Sequence, residues 1–332
     1  MPNIKEMKNR SANFGIIIPI IVAMFNIFLI LHPTQMIAAA KDGLLMWFNQ
    51  VLPTLLPFVV GANLLAGLGF IHFMGALMAP VMVPVFKVPG VGAFALLTGF
   101  CSGYPMGAKA VAHLRETRQI SRGEAQRLMA FTNNAGPLFV VGFVGAGLLG
   151  SVHLGFLLLA SHISAAIIVG LLVRVIFSDD EVSGSKGGVR QAFLEFREFR
   201  AANNQGFGSV LGVSVKNAMD SMVLIGGFIV LFCVVIEVFE VIGVFRQDGD
   251  LLTGFAAGLL EVANGAKMIA GGGPPNAQAL AVISGVISFG GFSVHGQTAH
   301  FLRGTDVKFA PYLGAKAVQG VISGAICLLV AL

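Results

Sequence analysis

The feature that most constrains this chain is the absence of charge over long stretches. Residues 11–40, 43–86, 88–108 and 128–173 contain no Asp, Glu, Lys or Arg. A membrane-crossing helix needs about 20 mainly apolar residues, and each of these runs is long enough to supply one or more. Charged residues are 11% of the 332, against about 25% in a soluble domain, and mean hydropathy is +0.85. A soluble single domain is excluded on this balance. A transmembrane β-barrel is disfavoured, because its strands alternate polar and apolar residues over about 10 positions. The expected fold is an all-α polytopic membrane protein.

The net charge of +5 needs no nucleic-acid partner, since the cytoplasmic loops of membrane proteins are rich in Lys and Arg. Cys101, Cys233 and Cys327 lie far apart in apolar runs and show neither metal-ligand nor disulfide spacing. The 43 glycines permit close helix packing and helix breaks. Lys5, Lys8 and Arg10 precede an apolar run, Phe14–Leu31, with no small-x-small cleavage site after it. It reads as an uncleaved first span within an N-terminal unit, 1–35.

Residues 36–50 mix Lys41, Asp42, Asn49 and Gln50 with the single Trp, and read as an interfacial helix anchored by Trp47. A span follows from Pro53 to about Phe70. Residues 72–89, with three prolines and a lysine, read as too broken to cross and are placed at the interface. In 90–114 two apolar pieces of about 10 residues flank Ser102-Gly103-Tyr104-Pro105, a turn signal. Each piece is about 15 Å long as helix, half a bilayer, which predicts a re-entrant hairpin. Ser121 and Glu124 form a capping box for a helix to about Leu149, interrupted at Thr132–Pro137. A plain span covers about 153–177. The linker 178–207 holds nine formal charges between Asp179 and Arg200, a flexible SGSKGG stretch, and Phe193, Phe196 and Phe199 at helical spacing. It reads as an amphipathic surface helix on the cytoplasmic side.

The second half repeats the plan. A long span (208–241) and a short loop bearing Arg246, Asp248 and Asp250 lead to a second hairpin, whose non-helical stretch is expected at Val262–Gly265. A span over 276–302 interrupted at Gly290–Gln297 follows, then a last span over 310–332. Gly107-Ala108-Lys109 recurs as Gly265-Ala266-Lys267, 158 residues on, and Phe131 meets Phe289 at the same offset. Two repeats, 36–177 and 208–332, each with three crossings and one hairpin, are expected to be inverted. With the N-terminus inside, 114–127, 178–207 and Arg303–Lys308 all fall inside, as the positive-inside rule requires. The C-terminus then lies outside, after about seven spans.

Ionisable groups inside spans usually face a protein-lined cavity. Lys109, Lys216, Asp220, Glu237, Glu261 and Lys267 qualify. Lys109 and Lys267, equivalent by the repeat, are expected to offer positive charge to an anion near the centre, with half-helix N-termini helping. Glu261 could neutralise one lysine, and it or His295 could carry a proton. Lys216 and Asp220, four apart, are expected to pair on one helix face. Glu237 falls near a span end. Ser102, Gly103, Tyr104, Asn133, Asn134, Asn264, Ser293, His295 and Gln297 sit at helix breaks, where broken backbone must be buried or line a wet cavity. His162, with no break beside it, reads as helix-packing glue. No HExxH, GxSxG or P-loop occurs, so no enzyme activity, metal or cofactor is expected.

Four motifs, SGYPMGAK (Ser102–Lys109), FTNNAGP (Phe131–Pro137), LEVANG (Leu260–Gly265) and GGFSVHGQ (Gly290–Gln297), together resemble the YlbJ/SpoVV family of sporulation integral membrane proteins. These are nucleoside-recognition, or Gate, domain proteins, and the resemblance covers about 40–332. Ala263 stands where the family is expected to have Thr, so one polar contact is lost. The resemblance implies inverted Gate repeats similar to concentrative nucleoside transporters. It also implies a role in moving dipicolinic acid, a small planar dicarboxylate, across the outer forespore membrane. The other readings are a nucleoside or nucleobase carrier, and a membrane scaffold for spore-envelope assembly that passes no solute. The expected partners are that small anion and the lipid bilayer, with a homo-oligomer also open.

Overall fold

The computed structural model describes residues 4–176, 187–203, 205–245 and 250–332, with side chains from Ile16 onward. Ser183–Lys186 of the linker's SGSKGG stretch, Arg246 and Asp248 lie outside the described residues. Every regular element among those described is helical. Five helices are long and apolar enough to cross a membrane: Pro33–Gly67, Val152–Ile176, Phe207–Val241, Ala277–Leu302 and Phe309–Ala331. The other two expected spans are less regular. Helix α1 (Ile4–Leu31) has a described apolar part of only Ile16–Leu31, and the 122–149 segment is split in two.

The segment read as an interfacial helix is instead the first half of a continuous rod. Helix α2 (Pro33–Met46) passes through one π turn, Trp47–Val51, into α3 (Leu52–Gly67). Pro53 removes the N–H that the Asn49 carbonyl would take in an α-helix, and a π turn bridges that point. Trp47 is no surface anchor. Its indole N–H donates to the Met222 carbonyl (2.9 Å) and its ring packs on Gly226, both in the long helix α10 (Phe207–Val241). The 72–89 segment also forms one helix, α4 (Phe70–Phe86), with Pro80 and Pro84 in its interior. Pro80 leaves the Ala76 carbonyl without an intrahelical donor. The Gly188 N–H, just before linker helix α9 (Val189–Ala202), supplies one at 2.9 Å. The amphipathic α9 then lays Phe193 and Phe196 on Phe73, and Phe199 on His72.

The expected hairpins are present: α5 (Gly92–Ser102) with α6 (Met106–Glu116), and α11 (Leu251–Leu260) with α12 (Val262–Ala270). The first is non-helical only at Gly103–Pro105. The second is broken at Glu261 alone, so Val262–Gly265 is helical, contrary to expectation. A glutamate that caps the next helix needs no extra unwound residues. Helix α7 (Arg122–Thr132) starts at the Ser121/Glu124 capping box (Glu124 N–H to Ser121 Oγ, 3.2 Å; Ser121 N–H to Glu124 Oε2, 2.6 Å). It stops at Asn133–Gly136, and the chain resumes as a π-helical stretch, Leu138–Leu148. Helix α8 (Val152–Ile176) completes the first repeat. In the second, α13 (Ala277–Phe289) and α14 (Gly291–Leu302) are separated by Gly290 alone, in the left-handed region at φ +97°. The wide interruption expected over Gly290–Gln297 is therefore a single residue. Helix α15 (Phe309–Ala331) ends the chain.

Equivalent elements run antiparallel, as inverted repeats require. Along α2–α3 and α10, Gly43 meets Val230 and Cys233, Trp47 meets Gly226, Asn63 donates to the Ser214 carbonyl (3.2 Å), and Gly67 meets Val210. Each of these two rods has 35 residues. Between α8 and α15, Ala315 and Ile322 pack on the cluster that holds Val169 and Val173, while Ser161 meets Cys327. Among the described residues helix α4 has no counterpart, so it is the piece inserted into the first repeat.

The basic loops share one face. Arg115 forks onto Asp306 (2.8 and 2.9 Å), holding that carboxyl below its ordinary range, and Gln126 exchanges two 2.9 Å hydrogen bonds with the Lys308 backbone. The exposed Arg115–Asp306 pair adds little to stability. What it adds is present above the ordinary carboxylate pKa and is lost as pH falls through the depressed folded value. Asp42, Glu237 and Glu240 gather away from these loops. We predict that the basic face is cytoplasmic. In a Thr117→Cys protein lacking its own cysteines, labelling by a membrane-impermeant thiol reagent in intact cells should fail and should appear after permeabilisation. Strong labelling in intact cells would reverse the orientation.

Candidate functional site

Three of the four helix breaks, and helix α14 just past the fourth, meet around one cavity of about 430 Å³. The hairpin tips supply Gly103, Tyr104 and Glu261, and the α7 break supplies Gly136. Helix α14 adds Ser293 and Gln297, and the rod α2–α3 adds Asn49, Gln50 and Thr54 beside its π turn. Phe139 and Phe143 of the π-helical stretch and Ile225 and Ile229 of α10 give an apolar side. Tyr104 lies 6.4 Å from Phe139, centroid to centroid, and its hydroxyl is buried without a hydrogen-bond partner. Glu261, 4% exposed, caps α12 by accepting from the Asn264 backbone N–H (2.8 Å) and side-chain amide (2.9 Å). Gln297 donates weakly to Ser293 Oγ (3.4 Å). Among the described residues no Lys or Arg lines this cavity.

Glycines make the convergence possible. A methyl at Gly99 or Gly107 would overlap the Thr132 carbonyl at the end of α7. Gly103, at φ +83°, sits against Gly136, and Gly291, at φ +73°, against the Gly258 and Leu260 carbonyls. Each hairpin thus seats on the break of its own repeat through backbone-to-backbone contact.

The structure brings together Gly103, Tyr104, Glu261, Ser293 and Gln297 of the expected site. Ser102 ends α5, buried next to them. Asn133, Asn134 and His295 stand behind the wall in a buried polar network. The Asn133 amide donates to Thr298 Oγ1 (3.0 Å) and Tyr312 Oη (2.9 Å) and accepts from the Ala108 N–H (3.4 Å). The Asn134 amide donates to the Phe131 carbonyl (2.6 Å). His295 bonds Tyr312 Oη through Nδ1 (3.1 Å) inside a ring of Phe289, Phe292, Phe309 and Tyr312, turned away from the cavity. His162 is glue, as expected, but to a break: its Nε2 accepts from the Ala135 N–H (3.1 Å) and its Nδ1 meets Ser288 Oγ (2.7 Å).

Lys109 and Lys267 do not share a cavity. Lys109 donates to Ser221 Oγ (2.7 Å) and the Asn217 carbonyl (3.2 Å) and lines the space toward the basic face, with His72 and His113. Lys267 and Asn264 line a cleft with Asp42, Glu237 and Glu240. The reason is the inversion itself: both lysines lie six residues past their hairpin tips, and an in-plane two-fold sends equivalent positions to opposite faces. Lys216 and Asp220 are exposed on α10 and form no ion pair with each other. Among the described residues no group of three or more His, Cys, Asp or Glu is placed to hold a metal ion. Three groups lay outside the expected site. Asn49 and Gln50 were signalled by a polar pair inside a charge-free run, and Lys316, buried in α15, by a lone lysine in an apolar span.

Gly99→Ala and Gly107→Ala should each destabilise the protein by about 1–3 kcal/mol through overpacking. The thermal unfolding midpoint in detergent should fall in both. Gly61→Ala, which meets open space, should leave it unchanged.

The Gate family, described as nucleoside recognition, matches residues 48–178. A protein of Bacillus subtilis (strain 168), named sporulation integral membrane protein YlbJ, is 35% identical, the match covering 96% of this chain and 84% of the relative. No solved structure matches.

Proposed function

The chain belongs to the sporulation integral membrane protein YlbJ family, and from that premise we propose that it is a carrier whose substrate site is the cavity among the helix breaks. The observation that carries this reading is the convergence of two hairpin tips and two interrupted helices, one set from each inverted repeat, on one space. That arrangement lets either repeat rock against the other around a fixed site. The Gate family is not an enzyme family, and the cavity offers binding groups rather than a nucleophile with its base.

The solute we propose is dipicolinate, moved across the outer forespore membrane. Tyr104, Phe139 and Phe143 line the cavity and offer an aromatic face on which a planar ring can stack. Ser293, Gln297, Asn49, Gln50 and the unpartnered Tyr104 hydroxyl are the hydrogen-bond partners for its carboxyl oxygens. The expectation of two lysines flanking a dianion gives way here, because the cavity wall holds Glu261 and no cation. A carboxylate placed beside another in a site without a cation strongly raises one of the two pKa values. Dipicolinate therefore enters with at least one proton, shared with or carried by Glu261. A nucleoside is the second reading, favoured by the neutral wall and by the Gate match over 48–178.

Equilibrium binding of dipicolinate and of uridine to purified protein in detergent tests both. Dipicolinate affinity should rise about tenfold per unit fall in pH where one proton is taken up, and Glu261→Gln should flatten that dependence. Tyr104→Phe should weaken binding by about 0.5–1.5 kcal/mol. Uridine binding with no pH dependence, and none of dipicolinate, would establish the nucleoside reading. Binding of neither, in protein that complements sporulation, would leave the scaffold.

A further inference from the structure

The α7 break contains a charge that no part of the proposed transport chemistry uses. Lys316 is 1% exposed, and no ion pair among the described residues includes it. Its ammonium instead touches three neutral oxygens: the Asn133 carbonyl at 2.8 Å, Gln319 Oε1 at 2.6 Å and Asn134 Oδ1 at 3.4 Å. An ammonium has three hydrogens and no acceptor, so donors and acceptors match one to one. A neutral amine would keep two hydrogens and turn a lone pair toward the third oxygen.

The oxygens are held in place by other bonds. The Asn133 carbonyl lies just past the end of α7, where no later turn of helix can supply its donor, while its side chain is committed to Thr298 and Tyr312. The Asn134 amide donates to the Phe131 carbonyl (2.6 Å) and accepts from Gln319 Nε2 (2.9 Å). That second bond leaves Gln319 Oε1 facing the lysine. Preorganised neutral oxygens at an unwound segment are the donor set by which helix breaks in membranes bind a monovalent cation. We propose that the α7 break is a monovalent-cation site filled permanently by the protein's own Lys316 ammonium. The tether joins the α7 break to α15 and removes any need for a dissolved cation there.

The second repeat supports this by contrast. Residue 158, one repeat offset before Lys316, is Leu158, fully buried. The matching break is the single residue Gly290, and α14 restarts at once, so the second repeat has no unwound stretch like Asn133–Gly136. The lysine occurs only where the backbone is open.

The test is independent of the solute carried. Thermal midpoints are measured in detergent at constant ionic strength with N-methylglucamine, sodium, potassium or ethylammonium chloride. Wild type should be indifferent to the cation. Lys316→Ala should unfold at lower temperature and recover saturably with ethylammonium or sodium but not with N-methylglucamine. Lys316→Met, which fills the space without charge, should stay low in every salt. A saturable cation response in wild type, a Met variant as stable as wild type, or a folded Ala variant with no response would each overturn the proposal. Should the alanine variant not fold, Gln319 decides. A carboxylate beside an ammonium is an ion pair, so Gln319→Glu should match or exceed wild type while Gln319→Leu falls below it. Gln319→Glu less stable than Gln319→Leu would mean that no cation sits there.

Discussion

Broken backbone at membrane depth is the constraint on which the rest of this structure depends. Hydrocarbon offers no hydrogen bonds, so a helix can stop inside the bilayer only where protein replaces the missing turn. At Asn133–Gly136 the replacements come from four directions. Lys316 serves the Asn133 carbonyl, His162 the Ala135 N–H, Ala108 the Asn133 side chain, and the hairpin glycines press on the Thr132 carbonyl. The helix cannot simply close over this stretch, because Pro137 has no N–H to return to the Asn133 carbonyl. The polar residues in the apolar runs are thus first a solution to a backbone problem. Those facing inward are then free to meet a solute.

Inversion explains both what the breaks share and what they separate. Elements on the two-fold itself, the hairpin tips and interruptions, converge on the cavity. Elements a few residues away diverge to opposite faces, which places Lys109 toward the Arg/Lys-rich loops and Lys267 among Asp42, Glu237 and Glu240. The molecule therefore presents a polar, basic approach on one side and a net acidic one on the other, with a cation-free chamber between. A carboxylate solute would be drawn in on one side and would need to shed charge before settling beside Glu261.

The repeats are alike in order but not in detail. The first carries α4, an inserted helix whose two prolines weaken it, and the linker returns to mend it. The Gly188 N–H fills the carbonyl that Pro80 leaves open, and the phenylalanines of α9 cover Phe73 and His72. The linker joining the repeats in sequence is thereby also clamped to one of them.

The sequence by itself determined the all-helical, polytopic class, because charge-free runs of this length leave a chain in lipid few other ways to satisfy its backbone. It also located the hairpins, the capping box at Ser121, the repeat offset and most residues at the breaks, since turn chemistry and Gly/Pro punctuation are local. It misplaced what depends on partners. Residues 36–50 looked interfacial because Lys41, Asp42, Asn49 and Gln50 are mixed with the single Trp, yet Asn49 and Gln50 turn to a cavity that other elements build and Trp47 packs on α10. Prolines made 72–89 look broken, yet Gly188, more than a hundred residues on, supplies the missing bond. Two matching lysines looked like one site until the inversion set them on opposite faces. Lys316 is a single letter in an apolar span, and only the fold shows three oxygens waiting for it. Local chemistry reads directly from the chain, whereas the position of a charge relative to a cavity is fixed only when distant segments pack.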